Sequence, residues 1–89
     1  LMNDKLVYQQ ARFWAERILA EHVSGNTKAR IRSMYWTAFG RPAADQEVNL
    51  CMKALEKLAI SHDCDFNDVR VWTDLCHSLF QANEFIYLR

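Results

Sequence analysis

Apolar side chains recur along this chain at intervals of three and four, in four blocks separated by short polar or turn-forming stretches. That interval places them on one face of an α-helix. The first block predicts a helix over about 4–23, with Val7, Ala11, Trp14, Ala15, Ile18, Leu19 and His22 on one stripe. Lys5, Gln9, Arg12, Glu16 and Glu21 fall on or near the opposite side, while Tyr8 and Phe13 lie off the main stripe. Asn3 or Asp4 suits the start, because a short oxygen-bearing side chain accepts from the free amides of a first turn. Ser24-Gly25-Asn26 suits the stop, with Gly25 free to take a left-handed cap.

The second block predicts a helix over about 28–39, capped by Thr27, with Ile31, Met34, Tyr35, Ala38 and Phe39 inward and Trp36 off the stripe. Gly40-Arg41-Pro42 then breaks the chain, since proline disfavours the helical conformation in the residue before it. The third helix is predicted over about 45–60, carrying Val48, Cys51, Met52, Leu55, Leu58 and Ala59 inward. Ala44 stands where Ser or Thr would complete a capping box with Glu47, so this start is expected to be weak. Residues 61–67 form the longest loop, with Asp65 or Asn67 expected to cap a fourth helix over about 68–82. Val69, Trp72, Leu75, Cys76, Leu79 and Phe80 are its inward positions. The apolar end, residues 83–88, is expected to leave the helix and dock Phe85 and Ile86 on the core. The sum is one all-α domain over 1–89, a compact bundle of four amphipathic helices organised around the Arg30–Glu47 stretch.

Composition supports this reading. Two Gly and one Pro in 89 residues argue for long helices and short connections. Zero formal net charge argues against a general polyanion binder. The charge is divided, however. Residues 1–44 hold seven Lys/Arg against three Asp/Glu, and residues 45–89 hold four against eight, giving halves of +4 and −4. Such halves either pack together or give a dipolar surface. Three cysteines without C-x-x-C spacing are neither a disulfide framework nor a c-type haem site, although a Cys51–Cys76 bridge is conceivable in an oxidising compartment. No apolar run approaches membrane-spanning length. The first residue is Leu1 rather than Met, from which a piece of a longer protein is expected.

Candidate chemistry is sparse. Asp63, Asp65, Asn67 and Asp74 fall at the first, third, fifth and twelfth positions of a calcium-loop template, but Asp68 takes the place of the obligatory glycine. His62 and Cys64 with Cys76 and His77 make a poor zinc set, because adjacent residues on a helix point about 100° apart. Cys64 with His62 or His77 is the sole nucleophile–base pairing, and no oxyanion loop accompanies it. Lys28, Arg30 and Arg32 could meet phosphates in a helix-turn-helix, yet the helix that would enter the groove opens with Asp45 and Glu47. The expectation is therefore no catalytic residue, no cofactor, no metal, no nucleic-acid partner and no membrane insertion. Two constellations stand out: a structural clamp between Arg41 in the bend and Glu84 near the end of the chain, and a contact surface formed by Tyr8, Phe13 and Trp36. The alternative is a fragment that completes an enzyme or cation-binding site formed with other domains.

Three blocks, LMNDKLVYQQARFWAERIL, RIRSMYWTAFGRPAADQE and WTDLCHSLFQANEFIYL, resemble in order a planctomycete-type domain of unknown function. The resemblance is carried by Asn3, Gln10-Ala11, Arg30 with Tyr35, Gly40-Arg41-Pro42, Glu47, Trp72, Leu75, Leu79 and Glu84-Phe85. It departs from the pattern at Ala43-Ala44, where the family carries Pro-Thr. Such domains lie at the C-terminal end of large proteins that often carry a cytochrome-c-like domain upstream. The resemblance thus implies an accessory module of a larger, periplasmic or otherwise extracytoplasmic protein, whose partners are the upstream domains or a second copy. It implies no haem or redox residue in this chain. The Tyr…Gly-Arg…Glu-Phe spacing also resembles helical modules of bacterial surface and linker proteins, again implying an interaction role.

Overall fold

Four helices form in the predicted order: α1 (Lys5–Glu21), α2 (Thr27–Phe39), α3 (Asp45–His62) and α4 (Val69–Leu88). This computed structural model describes residues 5–21 and 26–88, with side chains as far as residue 81. The fold is all-α, with no strand among the described residues. The expected caps at Asn3, Asp4 and Gly25, and the docking of Phe85 and Ile86, lie outside the described residues or side chains.

Each helix buries the stripe that its periodicity marks. Ala11, Trp14, Ala15 and Ile18 of α1 meet Ile31, Met34 and Tyr35 of α2, Val48, Cys51 and Leu55 of α3, and Val71, Trp72, Leu75, Cys76 and Leu79 of α4 in one core. Trp72 and Leu55 are completely buried. Burial of one such side chain contributes about 1.5–3 kcal/mol. α4 contacts each of the other three helices, and α1 packs chiefly on it. The centre of the fold is therefore α4 rather than the predicted Arg30–Glu47 stretch. Val71, Trp72 and Thr73 are buried side by side, which a single stripe does not allow; a helix with neighbours on several sides buries consecutive residues. The hydroxyl of Thr73 stays satisfied by donating to the Val69 carbonyl at 2.7 Å.

The helix ends correct several expectations. Asn26, not Thr27, caps α2, its side chain accepting from the Ala29 amide at 3.4 Å. Gly40 ends that helix at φ 66°, donating its amide to the Trp36 carbonyl. α3 continues to His62, past the predicted end at 60, and stops at Asp63 in the left-handed region with φ 52°. The Asp63 and Cys64 amides donate to the carbonyls of Ile60 and Ala59, a Schellman closure built without glycine. Asp68, rather than Asp65 or Asn67, opens α4 by accepting from the Arg70 amide at 2.9 Å. Asp65 instead closes a turn within the loop, accepting from the Asn67 amide. The α4 backbone remains helical through residues 83–88, which were expected to leave the helix.

Candidate functional site

The bend between α2 and α3 is fastened by Arg41. Its guanidinium donates to both carboxylate oxygens of Glu47 at 2.8 Å and lies 5.6 Å from the ring centres of Tyr35 and Phe39. Glu47 reaches back to accept from the Ala44 amide at 2.8 Å, making the half of a capping box that Ala44 permits. The bond to Arg41, then that to the Ala44 amide, holds the Glu47 carboxyl at about 2. Arg41 was expected to clamp Glu84; its carboxylate among the described side chains is Glu47, and the Glu84 side chain lies outside them.

A second polar junction joins α1, α3 and α4 at Asp74. The Tyr8 hydroxyl donates to one Asp74 oxygen at 3.1 Å, and His62 Nε2 lies 2.6 Å from the other. Tyr8 also meets His77 edge to face at 5.6 Å. Burial, and then the Asp74 carboxylate, raise the Tyr8 hydroxyl above its ordinary value. A carboxylate that holds an imidazole can fix its tautomer. Among the bonds described, His62 is held by Asp74 rather than by Cys64. The geometry fastens three helices together; Tyr8, predicted as a contact residue, bonds to Asp74 and remains 38% exposed.

Two of the loop carboxylates are likewise occupied: Asp65 closes its turn and Asp68 pairs with the Arg70 side chain at 3.1 Å, while Asp63 caps α3 through its backbone amide. Asn67 accepts from Arg30 at 2.8 Å. Among the described residues, no three of His, Cys, Asp and Glu gather as a metal site. Arg30, read as a phosphate contact, is 2% exposed and lies 5.3 Å from the centre of the Trp72 ring; burial lowers it from its ordinary value. All three cysteines are free thiols, with Cys51 and Cys76 buried.

The remaining feature is an apolar surface. Phe13 and Trp36 are 62% and 58% exposed, and Leu6 is 64% exposed. Leu6, Gln10, Phe13 and Arg17 follow one another on α1 at spacings of four, three and four, which is a second helical stripe beside the core stripe. Between it and α4 run two adjoining hollows of about 330 and 280 Å³, both bordered by Gln10 and Phe80. Trp14, packed on Phe80 at 5.0 Å, walls the second, and its indole N–H is buried with no acceptor among the described residues. An unmet buried donor costs about 1–3 kcal/mol. Neither the second stripe nor the orphan N–H is legible as a site in the sequence: only two of the four stripe residues are apolar, and a missing acceptor has no sequence signature.

Comparisons with protein-family models, with curated proteins and with solved structures return no match to this chain.

Proposed function

We propose that the chain is a non-catalytic helical interaction or accessory module of a larger exported protein, contacting a neighbouring domain or a second copy of itself. The observation that supports this is the exposure of two large aromatic side chains, Phe13 and Trp36. The polar constellations, by contrast, are engaged in closing helix ends and joining helices. The resemblance to planctomycete-type domains supplies the setting in a longer, extracytoplasmic polypeptide. The dipolar division of charge supplies a means of orienting the partner.

The test is light scattering across concentration and salt, on the chain alone and mixed with the polypeptide encoded upstream of it. The expected result is association that Phe13→Ser with Trp36→Ser abolishes while the circular dichroism melt stays unchanged. Absence of association in both samples, or association indifferent to the double substitution, overturns the reading.

A further inference from the structure

The division of charge between the two halves of the chain survives folding. Arg12 pairs with Glu16 inside the first half and Arg70 with Asp68 inside the second, while Arg41–Glu47 joins the halves at the bend. α2 carries three cations and no carboxylate. Arg30 is buried, whereas Lys28 and Arg32, two residues to either side of it, are exposed and make no ion pair among the described residues. The connection from α3 to α4 has the opposite character. Residues 61–68 hold three carboxylates and no Lys or Arg. Asp68 is taken by Arg70, but Asp63 and Asp65 are exposed and pair with no cation among the described residues. Glu56 and Lys57, one turn back on α3, offset each other in sign. The two surfaces are brought side by side by Arg30, whose guanidinium donates to the Asn67 side chain at 2.8 Å. Exposed apolar side chains flank them: Trp36, one turn beyond Arg32, and Ile60, in the last turn of α3, are 58% and 79% exposed.

We infer that this end of the bundle is a self-recognition surface, on which two copies of the chain meet about a two-fold axis, with Lys28 and Arg32 of each facing Asp63 and Asp65 of the other. A two-fold contact requires a self-complementary patch, and neighbouring surfaces of opposite sign provide one. The zero net charge of the chain sets no long-range repulsion between copies. Trp36 and Ile60 add the apolar area that exposed ion pairs, worth little by themselves, do not supply. A purely anionic partner would match Lys28 and Arg32 and be repelled by the carboxylates beside them, whereas a second copy answers both signs. This inference rests on the reading of the chain as an interaction module, and it assigns that module its partner and the symmetry of the contact.

The experiment is sedimentation equilibrium on the chain and on two double variants. The parent is expected to show a monomer–dimer equilibrium that stops at two and weakens at least about tenfold between low and high salt. Lys28→Glu with Arg32→Glu, and separately Asp63→Asn with Asp65→Asn, should each weaken the dimer at least about tenfold. Neither pair should lower the melt. Glutamate is favourable near a helix N-terminus, and asparagine keeps both the left-handed conformation at Asp63 and the turn acceptor at Asp65. Mixing the two variants restores one full set of opposite charges, so the mixture should associate more tightly than either variant alone, a gain that an unfolded chain cannot give. A parent monomeric at every concentration, growth past the dimer, a dimer indifferent to either double substitution, or a mixture no tighter than its components overturns the surface. If the parent stays monomeric alone but binds the polypeptide encoded upstream, the dimer fails while the interaction reading stands; association with neither ends both.

Discussion

Glu47 shows how much one side chain can join. It holds the Arg41 fork, closes the first turn of α3 through the Ala44 amide, and so ties the bend to the helix that follows. Its carboxyl stands at about 2 against an ordinary 4.5, so the folded state binds this proton more weakly than the unfolded chain does. The contribution of the charged carboxylate is therefore complete above pH 4.5 and is lost as pH falls towards about 2. Glu47→Gln keeps an acceptor for Ala44 but loses the charge. Its melting temperature should lie below that of the parent at neutral pH and converge on it in acid. Parallel curves across the whole range would refute the assignment. Arg30 gives the opposite lesson at the same scale: in sequence it stands among cations, and in the structure it is enclosed against Trp72 and Asn67.

At the level of the helix, the weak point is the start of α3. Ala44 has the extended backbone of an N-cap, at φ −70° and ψ 155°, but no oxygen to accept from the first turn. Ala44→Ser should therefore stabilise the protein by about 1 kcal/mol, raising the melting temperature by about 4–8 °C. A change within error would show that this turn is already satisfied by solvent. The element pattern was largely legible, because core positions such as Ala11, Ile31, Leu55 and Trp72 repeat at helical intervals and proline and glycine mark the bend. The ends were less so. Asn26 and Thr27, like Asp65, Asn67 and Asp68, are neighbouring residues with equivalent capping chemistry, and backbone geometry alone decides which of them caps. The helix was expected to end near residue 82, whereas the backbone stays helical to Leu88. The Arg41–Glu47 pair was missed because the bend brings together residues six apart, a spacing that helical periodicity does not link.

For the molecule as a whole, the central place of α4 gives its thiol chemistry a use. Cys76 lies on that helix with no solvent exposure, and burial pushes its thiol up to about 12. Cys51 lies on α3 beside the Tyr35 hydroxyl at 3.8 Å, and burial raises it too. The thiolate is the nucleophile that attacks a disulfide reagent and displaces its leaving thiolate, so both groups are silent while the core is closed. The chain thus carries its own clock. In Cys64→Ser, every labelling event must await an opening of the bundle, and a common slow rate at Cys51 and Cys76 would time the concerted release of α3 and α4. Distinct rates at the two thiols, read by mass spectrometry, would show that the helices part company one at a time.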